Sequence, residues 1–139
     1  MSLARTLYNI RTAIPRWWHR HGFGIQSPTD YELVRDVLFE PLHYYAYDEK
    51  NLHTEAERQL YRIRLWRPDV VEIHSASEYD KALQELRPNT VMVIEDISGK
   101  NELLWQRILQ DPLARITFDM RHRGLILFDR KRIKQNYIL

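Results

Sequence analysis

Two short apolar runs constrain the fold of this chain more than any other feature. They are Asp69 to His74, which reads Asp-Val-Val-Glu-Ile-His, and Thr90 to Glu95, which reads Thr-Val-Met-Val-Ile-Glu. Near-continuous apolar runs of this length are typical of parallel strands that are covered on both faces. A helix that begins at Ser77-x-x-Asp80 fits between them, since its apolar residues recur at helical spacing: Tyr79, Ala82, Leu83 and Leu86. The chain therefore predicts a strand, a helix and a second strand in one sheet.

The C-terminal part predicts a further helix and a closing hairpin. Apolar residues recur at helical spacing until Asp111-Pro112 ends the pattern: Leu103, Leu104, Ile108 and Leu109. Two apolar runs, 115–120 and 124–129, then flank a bend that passes through Arg121 to Gly124. Antiparallel pairing of these two runs gives the hairpin.

The N-terminal part, residues 1–66, predicts helices only. A first helix covers residues 3–14, and a second begins at Ser27-Pro28 and ends before Pro41. Thr54-x-x-Glu57 is a capping box that begins a third helix, which Pro68 ends, whereas Leu42 to Asn51 reads as irregular. With 139 residues, we expect one domain, helical over 1–66 and α/β over 67–139.

Composition excludes several kinds of site. The chain has no cysteine, which excludes disulfides, thiolate zinc sites and cysteine nucleophiles. No apolar run approaches the ~18 residues of a membrane span, and Pro15 interrupts the place of a signal peptide, so we expect no membrane partner and a cytoplasmic location. The histidines lack the spacing of a metal site on a helix, and we predict no metal.

Charge is unevenly distributed along the chain. Residues 1–29 carry four arginines and no acid, residues 30–114 carry 10 basic and 17 acidic groups, and residues 115–139 carry seven basic and two acidic groups. Either the basic ends pack beside the acidic middle and neutralise it, or they bind an anionic partner, most simply nucleic acid.

The tryptophan pair near the N-terminus is the sequence candidate for nucleic-acid binding. Arg16, Trp17, Trp18 and Arg20 combine the cationic and aromatic groups that single-stranded nucleic acids require. The same two tryptophans could instead anchor the first helix on the domain.

Three groups of residues carry a resemblance to a known family. The first group is His21, Gly22, Gly24, Ile25, Ser27 and Pro28; the second is Asp96 and Ile97; the third is Gly124, Phe128, Lys134, Gln135 and Tyr137. In this order, over roughly 100 of the 139 residues, the chain resembles a bacterial family of short class I S-adenosylmethionine-dependent methyltransferase-like proteins.

The resemblance implies an α/β fold, a reduced Rossmann-like methyltransferase sheet of about four strands with N-terminal helices. Strand 70–74 is expected to lie parallel to strand 90–95, with strand 124–129 antiparallel beside the latter and strand 115–120 at the far edge. The implied cofactor is S-adenosylmethionine, and the implied reaction is methyl transfer to a small-molecule acceptor.

The segment between Trp66 and Thr90 is shorter than the family's, which there keeps its cofactor-binding strands. If residues 72–77 are a remnant of the first strand, Glu72 matches the family's cofactor-binding acid, but His74 and Ala76 replace its glycines. If residues 70–95 are instead the fourth strand, its helix and the fifth strand, the first three strands are missing, and the spacing favours this reading. On both readings we expect a degenerate protein that does not bind the cofactor normally.

Glu95 and Asp96 are the candidate catalytic residues. They follow the second apolar strand, at the end where open α/β sheets bind ligands, and in related folds this position borders the substrate. A carboxylate here could act as a base, with Asp96 as the stronger candidate, or could simply cap the next helix.

Two further expectations concern partners. Without the first strands of the family, strand 70–74 is an apolar sheet edge, which either pairs with a second copy in a homodimer or is covered by the N-terminal helices. The alternative to a methyltransferase-like protein is a non-catalytic binding module for nucleic acid or a protein partner. Salt distinguishes the two, because nucleic-acid affinity falls steeply as salt is added.

Overall fold

A computed structural model describes residues 27–42 and 44–139. Its strands are β1 (Val70–Ile73), β2 (Val91–Glu95), β3 (Ile116–Asp119), β4 (Arg123–Leu127) and β5 (Gln135–Ile138). Its helices are α1 (Pro28–Glu32), a π-helix (Leu33–Leu38), α2 (Tyr45–Glu49), α3 (Glu55–Trp66), α4 (Ala76–Gln84) and α5 (Glu102–Gln110). The predicted helix over residues 3–14 lies outside the described residues.

The five strands form one mixed sheet in the order β1-β2-β4-β3-β5. β1 is parallel to β2, β4 is antiparallel to both β2 and β3, and β5 is parallel to β3. The α/β class and the three expected strand pairings are therefore confirmed. In the described part of the chain, β1 has a neighbour on one side only, so it lies at an edge of the sheet as expected.

The expectation of about four strands, with 115–120 at the far edge, is wrong. The C-terminal tail adds β5, which pairs with β3 and takes the edge position. Tyr137 drives this pairing, because its ring stacks on Phe118 with 5.1 Å between centroids and its hydroxyl donates to buried Asp30. The tail is short and largely polar, with Gln135 and Asn136 exposed, so its pattern does not indicate a strand.

Helices cover both faces of the sheet. On one face, the π-helix and α3 pack on alternate strand residues through Leu38 and Ile63. The opposite face packs on α4 and α5, where Tyr79 and Trp105 are fully buried. Gly124 in β4 is required there, because a Cβ atom would lie 2.4 Å from the Trp105 ring.

The predicted helix starts are confirmed at two places and wrong at a third. The Ser27 side chain caps α1 by accepting from the amide of Asp30, and Thr54 caps α3 by accepting from the amide of Glu57. The third start, that of α4, lies two residues earlier than the motif Ser77-x-x-Asp80 predicts. Ser75 is the cap of α4, since its hydroxyl accepts from the amide of Glu78 at 3.3 Å.

Two N-terminal expectations also need correction. The helix predicted from Ser27 to Pro41 changes to π geometry at Leu33, where the amide of Phe39 donates to the carbonyl of Val34. The segment predicted as irregular contains α2, which the buried ring of Tyr47 anchors.

Every helix in residues 27–42 and 44–139 is too short or too polar to span a bilayer.

Candidate functional site

The carboxyl ends of the parallel strands are the candidate functional site. β1 ends at Ile73 and β2 ends at Glu95, and antiparallel β4 begins beside them at Arg123. We call this the carboxyl edge; it comprises residues 73–75, 95–101 and 119–123. The helices α4 and α5 begin here, and ligands of open α/β sheets bind at this edge.

Glu95, one predicted catalytic residue, is bound to a buried arginine. Its Oε1 accepts from Nε of Arg123 at 2.6 Å, across the register pair that joins β2 to β4. Nη1 of Arg123 also donates to the carbonyl oxygen of Ala56 at 2.8 Å and to Oε1 of Gln59 at 2.9 Å. The side chain of Arg123 is 10% exposed, and its hydrogen bonds to Ala56 and Gln59 hold α3 on the sheet.

A second buried arginine continues the same network. Gln59 donates to the carbonyl of Leu38, and that carbonyl also accepts from Nη2 of Arg62 at 2.9 Å. Arg62 further donates to Glu55 at 2.6 Å and to the hydroxyl of Tyr47 at 3.0 Å. Burial lowers the pKa of Arg62, but the hydrogen bonds to Glu55 and Tyr47 outweigh it and the net pKa is raised. The guanidinium therefore stays charged inside the fold.

Asp96, the other predicted catalytic residue, is exposed and shapes a turn. Its φ of 54° is left-handed, a conformation that aspartate adopts more readily than most residues. Its Oδ2 accepts from the amide of Lys100 at 2.9 Å, and a Cβ atom at Gly99 would lie 2.6 Å from Oδ1, so a larger residue there would displace the carboxylate. The carboxylate therefore organises the loop before α5 but does not cap the helix, whose N-cap residue is Asn101.

A serine and histidine pair at the same edge was missed by the sequence analysis. Oγ of Ser98 lies 3.2 Å from Nδ1 of His122, which stands in the turn between β3 and β4. Ser98 is 9% exposed, whereas His122 is exposed. In the described part of the chain, no carboxylate is hydrogen-bonded to this imidazole, so the pair lacks the third group that orients the base in hydrolases.

Glu72, the predicted cofactor-binding acid, is exposed and forms an ion pair on the surface. It stands inside β1, and its Oε2 accepts from Nη2 of Arg64 at 2.9 Å. In the turn that follows, His74 binds Glu78 through its amide and its ring. These hydrogen bonds lower the pKa of Glu78, and the bond from the His74 amide has the largest effect.

Within the described ranges, no cluster of histidine, aspartate and glutamate could hold a metal ion.

The nucleic-acid candidates Arg16, Trp17, Trp18 and Arg20 lie outside the described residues.

Residues near the first and the last of the family motifs lie in contact with one another. Arg132 donates to both carboxylate oxygens of Asp30, at 2.6 and 3.2 Å, and lies 3.5 Å from the hydroxyl of Ser27. Tyr137 donates to Asp30 at 2.8 Å, and this carboxylate is fully buried. Ser27 and Tyr137, which match the family's motifs, therefore stabilise the fold.

Comparison of the chain with protein-family models, with curated proteins and with solved structures found no match.

Proposed function

We propose that this chain is an S-adenosylmethionine methyltransferase-like α/β domain that does not hold the cofactor in the family's usual way. One observation carries the proposal. The carboxylates that the resemblance assigns to cofactor and catalysis already have partners: Glu72 forms a surface ion pair with Arg64, Glu95 binds Arg123, and Asp96 holds its own turn. A ligand that used Glu95 or Asp96 at the carboxyl edge would have to displace their contacts.

The sheet topology supports the methyltransferase-like part of the proposal. The resemblance implies two parallel strands, with an antiparallel strand next to the second and its hairpin partner beyond, and β1, β2, β4 and β3 follow this order. The contacts of Asp30 with Arg132 and Tyr137 support it as well, because they give motif residues near both ends of the chain a role in folding that needs no cofactor.

The same topology supports the reading in which the family's first three strands are missing. β1 lies directly beside β2, and β2 lies beside antiparallel β4, which is the relation expected of the fourth and fifth strands. The residues after β1 do not fit the cofactor as this family binds it, since His74 and Ala76 stand where glycines would let the backbone approach it. Asp96 is the exposed carboxylate left for any methyl transfer to a small-molecule acceptor.

Calorimetric titration of the purified chain with S-adenosylhomocysteine tests this proposal. We expect no saturable heat at micromolar ligand and no rise in melting temperature, because a ligand that binds the folded state stabilises it. A variant with Glu72→Gln serves as the matched control, and we expect it to behave as the parent does. One-site binding with a micromolar dissociation constant contradicts the proposal.

The edge position of β1 supports a homodimer as part of the proposal. Strands that lack a neighbour offer unpaired amide and carbonyl groups to another chain. We expect sedimentation to show a dimer, with slow amide exchange at residues 70–74 that becomes fast in the dilute monomer. A monomer with fast exchange there contradicts both the dimer and the coverage of β1 by the N-terminal segment.

A further inference from the structure

A basic groove lies at the other end of the strands from the carboxyl edge, where β2 begins and β4 ends. We call this end of the strands the amino edge. The groove has a volume of about 620 Å³ and is lined by Leu86, Arg87, Pro88, Asn89, Phe128, Asp129, Arg130 and Lys131. None of the sequence-predicted site residues contributes to it. The volume falls within the range of clefts that hold small ligands or one unit of a polymer.

Three cations in the groove are free. The side chains of Arg87, Arg130 and Lys131 are exposed, and among the described residues they have no ion-pair or hydrogen-bond partner. Two nearby cations, by contrast, have partners within the fold: Arg132 binds Asp30, and Nζ of Lys134 donates to two backbone carbonyls. The groove thus presents positive charge that the fold does not use.

Among the residues that line the groove, positive charge exceeds negative charge. The lining contains the three cations and one carboxylate, Asp129, which accepts from the amide of Lys131. α4 ends near Arg87, and a helix C-terminus carries roughly half an elementary negative charge. Two further acids, Asp69 and Glu85, lie outside the lining, and Asp69 already accepts from the hydroxyl of Thr90. An external anion is therefore favoured in the groove.

The other groove residues fit an unpaired nucleotide. Phe128 is half-buried, so part of its ring is available to stack on a base. Asn89 is exposed beside it and carries both a donor and an acceptor for a base edge. A base inside a duplex is already stacked on its neighbours and cannot reach such a ring. The groove chemistry accordingly favours a single strand.

We infer that the amino-edge groove binds single-stranded nucleic acid, with Arg87, Arg130 and Lys131 on phosphates and Phe128 stacked on a base. The inference depends on residues other than those behind the proposed function. It also differs from the N-terminal tryptophan hypothesis, which places the nucleic acid on Arg16, Trp17, Trp18 and Arg20. Binding of S-adenosylhomocysteine, which would contradict the proposed function, and absence of nucleic-acid binding, which would contradict this inference, are consequently separate results.

Fluorescence anisotropy of the full chain with a short labelled oligouridine tests the inference. We expect the double variant Arg130→Glu/Lys131→Glu to weaken binding by about tenfold or more at low salt, because two phosphate contacts become repulsive. The matched control Lys81→Glu/Lys100→Glu makes the same change in net charge on exposed residues outside the groove, and we expect less than about twofold loss. Circular dichroism and thermal melting verify that both variants fold.

Two further measurements identify the mode of binding. Three phosphate contacts give a slope of about −2 in a plot of log affinity against log salt, and the groove variant is expected to reduce its magnitude by about 1.4. Phe128→Leu keeps an apolar side chain but removes the stacking ring, and we expect about tenfold weaker binding.

Several results overturn the inference. These are no binding by the parent chain at low salt, equal loss in the control variant, and unchanged affinity with Phe128→Leu. Equal binding of a duplex, or equal competition by polyglutamate, would assign the groove to polyanions in general. Loss of binding with Arg16→Glu/Arg20→Glu alone, with the groove variant unaffected, would place the nucleic acid at the N-terminus.

Discussion

The two edges of this sheet use their charged side chains in opposite ways. At the carboxyl edge, Arg123 is buried and makes three hydrogen bonds to Glu95, Ala56 and Gln59. At the amino edge, Arg130 and Lys131 are exposed and have no side-chain partner in the described part of the chain. Arg123 thus joins segments inside the fold at one edge, whereas Arg130 and Lys131 are exposed charges at the other.

This difference shows that topology alone does not locate a binding site. In open α/β sheets the carboxyl edge is the usual site, partly because helix N-termini there favour anions. Here a partly buried network binds Glu95 and Arg123 of that edge to each other and to α3. A charged ligand gains most from charges that the fold has left without a partner, and among the described residues three such cations line the amino-edge groove.

The largest expected effect is the loss of the arginine that closes the carboxyl edge. Arg123→Met leaves Glu95 and Gln59 without their partner in a partly buried site. Breaking a buried pair in this way costs about 3–5 kcal/mol, and we expect about 3 kcal/mol because the side chain of Glu95 is 37% exposed. Urea unfolding followed by circular dichroism measures this loss in the free energy of unfolding.

The control for this prediction is the same substitution at the other edge. Arg130→Met removes a free, exposed cation, and we expect a change within about 0.5 kcal/mol. Equal losses for the two substitutions would contradict the contrast between the edges. The variant Glu95→Gln, which keeps an acceptor for Arg123, should lie between them.

Much of the fold can be predicted from the sequence because its signals are local. The apolar runs that contain Val70 and Val91 predict β1 and β2, and the caps Ser27 and Thr54 predict two helix starts, since each depends on neighbouring residues. The hairpin of β3 and β4 also follows from a local pattern, whereas the parallel pairing of β1 with β2 and the place of β4 beside β2 came from the family resemblance; all three pairings are confirmed. The helix after β1 was placed with its cap at Ser77 instead of Ser75, because both serines have a suitable residue three positions later.

The site could not be predicted in the same way because its contacts join distant segments. Arg62 and Arg123 are cations on a helix and at a strand end, which the sequence alone presents as surface residues. Their burial results from partners far along the chain, such as Ala56 and Glu95 for Arg123. Glu95 was therefore interpreted as a candidate base, although it forms an ion pair. The groove could not be predicted from local patterns either, because its lining comes from two distant segments, residues 86–89 and residues 128–131.

Two buried tyrosines join distant segments of the chain through their hydroxyl groups. The hydroxyl of Tyr79 donates to Asp111 at 2.7 Å at the end of α5, and that of Tyr137 donates to Asp30 at 2.8 Å. Both rings are buried. Burial raises the pKa of Tyr79 and of Tyr137, and the hydrogen bond to the carboxylate raises each pKa further. Both hydroxyl groups therefore keep their protons in the folded protein, unlike the exposed cations of the groove, which bind no described side chain.

The smallest effect we predict comes from these hydroxyl groups and depends on pH. At pH 8, Tyr79→Phe and Tyr137→Phe should each lower the free energy of unfolding by about 1.5 kcal/mol, the contribution of a hydrogen bond to a charged group. The exposed residue Tyr45, substituted as Tyr45→Phe, is the matched control and should change nothing measurable.

The sign of the pH dependence follows from the raised pKa of each folded tyrosine. In the unfolded chain a tyrosine ionises near pH 10, whereas the buried hydroxyl keeps its proton, so the stabilisation is complete below about pH 10 and is lost as the pH rises toward the folded-state pKa. Each Phe variant lacks this loss, and its deficit relative to the parent should shrink by about 1.4 kcal/mol per pH unit above pH 10. Urea unfolding from pH 8 to pH 11 measures this convergence. Parallel curves for parent and variants would mean that these tyrosines ionise in the folded protein as they do in the unfolded chain, and would contradict the prediction.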